Sequence, residues 1–329
     1  PDRRGVICTA SYEARVFGVR SAMATSTALK LCPNLILAPV NFAKYKKESR
    51  VIREIFAEYT LKIEPLSLDE AYLDVTGSSA CHGSATLIAQ EIRKKIFQQT
   101  RLTASAGVAP NKFLAKVASD WNKPNGIMVV SPEEASAFAR ELPVEKIFGV
   151  GKVTAKKMHA LGLKTCADIL AFRFEDLEKH FGSWAATLRD NAEGIDHREV
   201  EFDSERKSLS VEETYDHDLV DPDEIRSHLG ELYLDWLERF DRFEEKNGRA
   251  SLHKAFVKLK FADFRSTTHE CVVTALPELA VFRGLLEAVL NKSVEPVRLL
   301  GVGVRFKTSD SSRKKSEREG SLRQLKLID

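Results

Sequence analysis

Between Ile63 and Val75 the chain reads Ile-Glu-Pro-Leu-Ser-Leu-Asp-Glu-Ala-Tyr-Leu-Asp-Val, and this segment constrains the fold more than any other. Residues that favour β-structure flank two adjacent carboxylates, Asp69 and Glu70. Neighbouring side chains of a regular strand point to opposite faces, so an unbroken strand would drive one acid into a core. The backbone is therefore expected to turn there and expose both acids at a hairpin apex. Such a pair suits a hard divalent cation like Mg²⁺, which takes oxygen ligands and keeps waters for substrate phosphates. A surface turn with two solvated acids accounts for the same residues equally well.

The chain has 329 residues, of which 43% are hydrophobic, enough for two or more domains with cores of their own. No apolar run is long enough to span a membrane. The net charge is only +2 although 30% of residues are charged, so positive patches must be local. Five cysteines (Cys8, Cys32, Cys81, Cys166, Cys271) form no C-x-x-C pair, which suits a reducing compartment and argues against a disulfide framework or a zinc ribbon. Cys81-His82 has no partners at ligand spacing and reads as structural. No signal peptide is expected. The chain starts at Pro1 in a basic stretch without a methionine, and a preceding segment is expected.

Patterning predicts strands over Gly5–Ser11 and Leu35–Val40, with a short helix Ala24–Leu31 between them. A helix over Phe42–Tyr59 places Tyr45, Ile52 and Phe56 on one face. After the acidic hairpin come a helix over Ser84–Gln98 and a strand over Thr103–Val108. Asn111 is a candidate cap for a helix reaching Trp121, and Asn125-Gly126 turns into a strand over Ile127–Val130. This alternation predicts an α/β sheet carrying the carboxylates on its open face.

Beyond Pro132 the pattern is helical. Gly149 and Gly151 open a helix that carries Lys152, Lys156 and Lys157. Backbone N–H groups at such a start, near the positive helix end, suit a phosphate. The follow-on Leu161-Gly162-Leu163 and Thr165 completes a likeness to the helix-hairpin-helix motif that grips DNA backbones. A charged stretch, Val200–Lys207, reads as a linker. The remainder predicts Ser208–Thr214 extended, a helix Asp223–Phe243, strands Lys254–Phe264 and His269–Ala275, a helix Leu279–Asn291 and a strand Val297–Phe306. That βαββαβ order is the ferredoxin-like one. Lys254, Lys258 and Lys260 share one strand face, suited either to a nucleic-acid backbone or simply to solvent. The tract after Lys307 is polar and basic and is expected to be disordered. Gln324, Leu325, Leu327 and Ile328 restore apolar character at the end, as a docking peptide or a frayed terminus.

Several segments together resemble the Y-family of translesion DNA polymerases, from Arg4 to the C-terminus. They are Arg4-Gly5-Val6-Ile7, Ala14-Arg15 through Met23, Ser67 through Asp74, Ser105 through Lys112, Lys116 through Asp120, and Lys123 through Gly126. The resemblance implies an α+β multidomain right hand. Its parts are fingers over 1–39, a palm with a mixed α/β sheet over 40–131 and a helix-hairpin-helix thumb over 132–198. A linker over 199–207, a ferredoxin-like little finger over 208–306 and a flexible tail over 307–329 follow. It further implies a cytoplasmic monomer acting on primer–template DNA and dNTPs with two Mg²⁺ ions, tethered to the sliding clamp (β subunit) by the Gln324–Ile328 peptide.

By the same resemblance Asp69 bridges the metals and Glu70 holds the one facing the primer. Thr9, Tyr12, Arg15 and Lys123 match positions that hold the triphosphate, and Cys8 lies over the templating base. The DNA backbone would meet Gly149, Gly151, Lys152, Lys156 and Lys157, then Lys254, Lys258 and Lys260. Tyr45 is expected to pack nearby and Asp74 to support the hairpin. Family members also carry an N-terminal strand with a third metal-binding Asp and a bulky residue that excludes ribonucleotides. Neither is in this sequence, so the palm is expected to lack a central strand and the 329-residue form not to extend primers, unlike a version carrying that segment. Two other readings are a catalytically inactive, truncated polymerase that only binds DNA, and a nucleotide cyclase.

Overall fold

The computed structural model describes residues 4–202, 205–292 and 295–307. The chain divides into two compact units, one of 1–40 with 205–329 and one of 41–204. None of the described helices is long and apolar enough to cross a membrane.

The first unit opens with two short helices, α1 (Tyr12–Val16) and α2 (Thr25–Leu31). The Ser11 hydroxyl accepts the Ala14 N–H and satisfies one of the amides that a helix start leaves free. The two strands expected here are not present. Gly5–Ser11 makes a single bridge, Val6 to Ala24, and Leu35–Val40 has no regular structure. A strand persists through its ladder, and the described neighbours offer only the Ala22–Thr25 backbone as a partner. Ile7, Ala14, Val19 and Ala28 instead close a small core of their own.

In the second unit, α3 (Phe42–Ala57), β1 (Ile63–Pro65), β2 (Ala71–Leu73), α4 (Ala85–Thr100), β3 (Ala106–Val108), α5 (Lys112–Trp121) and β4 (Ile127–Val129) follow in order. Ile88, Ile92 and Ile96 recur every fourth residue along α4 and bury against Ile55 and Tyr59. Tyr45 does not join that cluster; its ring meets Phe42 edge-on. The expected sheet is instead two separate ladders, β1–β2 antiparallel and β3–β4 parallel. Each is three residues long, and no described strand bridges them. Helix α5 lies so close on β3 that a Cβ at Gly107 would come within 2.1 Å of the Ala115 carbonyl.

Five more helices complete this unit: α6 (Ala135–Glu141), α7 (Lys152–Ala160), α8 (Cys166–Ala171), α9 (Phe174–Phe181) and α10 (Trp184–Ala192). Their apolar faces (Met158, Ile169, Leu177, Leu188) share a core with Phe113, Leu114 and Val117 of α5. One hydrophobic cluster thus runs across position 131, where the sequence suggested a boundary.

The first unit resumes with β5 (Ser208–Leu219), α11 (Pro222–Asn247), β6 (Leu252–Phe261), β7 (Ser266–Val272), α12 (Leu279–Leu290) and β8 (Val297–Phe306). The βαββαβ order is as expected and all neighbouring strands are antiparallel, but the strand order is β5-β8-β6-β7. A ferredoxin-like sheet has its first and third strands in the middle, whereas here the second and fourth are central. Burial explains the choice. Alternate residues of β6 are buried and β8 is buried almost throughout, while β7 (Ser-Thr-Thr-His-Glu-Cys-Val) is polar enough to serve as an edge. Trp236 and Phe240 of α11 and Phe282 of α12 fill the core over one sheet face.

Candidate functional site

The acidic pair sits where the sequence placed it, on the turn that joins β1 to β2. The turn is closed by the Leu66 N–H on the Glu70 carbonyl at 2.9 Å. Inside it, the Ser67 hydroxyl accepts the Asp69 and Glu70 amides at 3.2 and 3.1 Å and donates to Asp69 Oδ1 at 2.6 Å. Both carboxylates are exposed. At the foot of the hairpin Asp74 pairs with Lys62 at 2.9 Å and accepts the Thr76 N–H, a supporting role; the Lys62 bond holds its carboxyl below the usual range.

Helix α5 grips the hairpin at two levels. Asn111 caps it as expected, accepting the Leu114 N–H at 3.0 Å. One turn apart on its face, Lys112 and Lys116 reach back to β1 and to the apex. Lys116 Nζ is 2.5 Å from Glu70 Oε1. Lys112 is buried, with Nζ 2.5 Å from Glu64 Oε2 and 3.0 Å from the Glu199 carbonyl, and it lies 5.1 Å from the centre of the Tyr72 ring. The same Glu64 oxygen accepts the Glu201 N–H at 2.7 Å. Burial pushes the Tyr72 hydroxyl up to about 12. Neither lysine stood out in the sequence as part of the site. Their four-residue spacing after a cap was visible, but their partners lie 48 and 46 residues away.

Lys123, expected at the triphosphate, pairs with Asp120 at 2.5 Å in this unit. Cys8, Thr9, Tyr12 and Arg15 lie in the other unit, all exposed. There the Arg15 guanidinium stacks over the Tyr12 ring at 5.5 Å and donates to the Ala10 carbonyl.

The glycine turn before α7 forms as read. Gly149 adopts φ +93°, a conformation that L side chains resist, and a Cβ there would also press on the Trp184 ring at 3.3 Å. Gly151 caps α7 without a side-chain bond, and Lys152 and Lys156 stand exposed one turn apart. Lys157, also exposed, is engaged by a neighbouring helix. Its ammonium bonds the His180 carbonyl at the end of α9 and lies over the Phe181 ring, where helix-end carbonyls attract a cation.

On the helix-free face of the four-stranded sheet, Lys254, Lys258 and Lys260 line up along β6 with Phe256. Lys258 pairs with Glu212 at 2.7 Å, Lys254 with Glu270, and Lys260 lies over the Phe264 ring. Gly301 and Gly303 keep the middle of this face low; a Cβ on Gly303 would meet Phe256 at 2.8 Å. Gln324, Leu325, Leu327 and Ile328 fall outside the described residues.

Comparison with known proteins decides the family. Residues 1–120 match the impB/mucB/samB family, and 206–316 match the C-terminal domain of that family. The chain is 50% identical over 311 residues to the DNA polymerase IV of Ralstonia nicotianae, covering 94% of this chain and 86% of that protein. It is 52% identical over 309 residues to the DNA polymerase IV of Legionella pneumophila strain Corby, with the same shares covered. The chain belongs to the Y-family of DNA polymerases. Among solved structures, a Y-family DNA polymerase chimera of Dbh and Dpo4 superposes with a TM-score of 0.82 at 28% identity, over 93% of this chain and 88% of that one. An insertion ternary complex of Dbh DNA polymerase superposes at 0.62, again at 28% identity, over 92% and 88% of the two chains. A Y-family polymerase is a DNA-directed DNA polymerase with an α+β right-hand fold, and the match leaves no support for a cyclase.

The residues at the hairpin apex fit a hard divalent cation. Asp69 and Glu70 offer carboxylate oxygens only, both exposed, on a turn whose amides are already satisfied by Ser67. Among the described residues no group of three or more His, Cys, Asp or Glu is placed to hold a metal.

Proposed function

We propose that this Y-family polymerase synthesises DNA across lesions by transferring nucleotides from dNTPs to a primer 3′-hydroxyl, with Asp69 and Glu70 holding a pair of Mg²⁺ ions. The observation that carries this reading is the exposed acidic pair on a hairpin apex braced by α5. Bound there, divalent cations supply activation of the 3′-hydroxyl and neutralisation of the leaving pyrophosphate. The protein's own work is positional. The Ser67 turn fixes the direction of both carboxylates, and Lys112 locks the base of the hairpin. The family resemblance assigns the triphosphate oxygens to Arg15, Tyr12, Thr9 and Lys123, whose cationic and hydroxyl donors suit phosphate, and the template side to Cys8.

The uncapped start of α7 with Gly149, Gly151, Lys152 and Lys156 suits one DNA backbone, and Lys254, Lys258 and Lys260 suit another stretch of it. Lys157, exposed beside them and bonded to the His180 carbonyl of α9, adds positive charge to the same patch. The division into fingers, palm, thumb, linker, little finger and tail follows from the family, as does tethering of a monomer to the sliding clamp through Gln324–Ile328. Extension of a primer past an abasic site in a template, with and without Mg²⁺, tests the reading. Lesion bypass that needs the metal supports it. Binding of primer–template with no further tightening by Mg²⁺ and the matching dNTP would instead make the protein a DNA-binding relic.

A further inference from the structure

We infer that Lys116 is a resident counter-cation of the metal site: its ammonium occupies Glu70 in the free protein and a divalent cation binds by displacing it. The inference rests on the reading that Glu70 holds the cation. It goes further by naming what stands there beforehand.

Three observations carry it. The Lys116 ammonium is 2.5 Å from Glu70 Oε1, so it engages directly an oxygen that a divalent cation on Glu70 would use. Asp69, the adjacent acid, is offered only a hydroxyl by Ser67, so Lys116 is the cation on the described pair. The two lysines of α5 also differ in burial. Lys112 is 8% exposed and fixed by Glu64 and a backbone carbonyl, whereas Lys116 is 22% exposed and its partner Glu70 41%. Exposed pairs of this kind are weak and solvent-screened, so this one can yield to a doubly charged ion. Before the ion arrives, the ammonium relieves repulsion between two neighbouring carboxylates. Once the ion is bound, the same ammonium is left as a like charge beside it.

Removing the ammonium should therefore strengthen cation binding. The test is Mn²⁺ binding to the DNA-free protein, followed by the loss of the free-ion electron paramagnetic resonance signal. Lys116→Met is expected to tighten Mn²⁺ by about threefold to tenfold, the range given by an exposed unit charge at this distance. Lys116→Arg, which keeps the charge, should stay within twofold of the parent. Glu70→Gln should weaken binding, and Lys116→Met should add nothing in the Glu70→Gln background. If Lys116→Met leaves Mn²⁺ affinity unchanged or lowers it while Glu70→Gln still weakens it, the displacement idea is overturned. If Glu70→Gln has no effect, or the parent binds no Mn²⁺, the metal-site reading beneath it fails as well.

Discussion

Replacing Lys112 by Met should destabilise the 41–204 unit by about 2–3 kcal/mol. Deleting one partner of a buried ion pair costs about 3–5 kcal/mol, because the other charge is left without compensation. Here the stranded group is Glu64, which keeps the Glu201 N–H at 2.7 Å and is 17% exposed, so the cost falls to the bottom of that range or just below it. Met preserves the apolar stem beside Tyr72, which isolates the charge from lost packing. A change of this size corresponds to a fall of about 5–10 °C in the melting temperature of a unit this large. Urea unfolding followed by Trp fluorescence gives the free energy directly. The double variant Glu64→Gln/Lys112→Met is expected to recover at least half of the loss, since a neutral amide can still accept the Glu201 N–H. If Lys112→Met costs less than about 0.5 kcal/mol, or the double variant is worse than the single, the buried pair is not what braces the hairpin.

Bonds from Cys81, Tyr59 and Lys95 hold the Glu91 carboxyl down at about 2. A depressed carboxylate stabilises the fold above its unfolded value and loses that contribution as pH falls through the folded one. Glu91→Gln should therefore flatten the pH dependence of stability between about pH 4.5 and 2, read from acid unfolding curves, and leave it unchanged above pH 6. Gly303→Ala should destabilise the sheet by about 1–3 kcal/mol in urea unfolding, because its Cβ would lie 2.6 Å from the Leu209 carbonyl and 2.8 Å from Phe256. Lys258→Ala should weaken primer–template binding for all sequences alike and lower the slope of log affinity against log salt by about one, measured by fluorescence anisotropy.

Local rules made much of this structure legible in the sequence. The acidic turn followed from strand geometry, the start of α5 from Asn111, and the start of α7 from Gly149 and Gly151 ahead of its lysines. Element order in the 208–306 region could be read from alternation. The strand order could have been read too, since Val297–Phe306 is apolar on both faces and Ser266–Val272 is polar, but period alone does not rank strands from centre to edge. Two short strands near the start failed because a strand needs a partner that local patterning cannot supply. The bracing of the hairpin by Lys112 and Lys116 was hidden for the same reason. A lysine on a helix looks like solvent-facing charge until the fold brings Glu64 and Glu70 against it.

Single-turnover incorporation of one nucleotide by the parent and by Asp69→Asn/Glu70→Gln, both carrying the family's N-terminal strand if the 329-residue form does not extend primers, tests the central claim most directly, with primer–template affinity measured on the same samples. The account predicts that the double variant binds DNA within about twofold of the parent and incorporates at least ~10³-fold more slowly. Incorporation by the double variant within about tenfold of the parent's rate would show that the chemistry is done elsewhere.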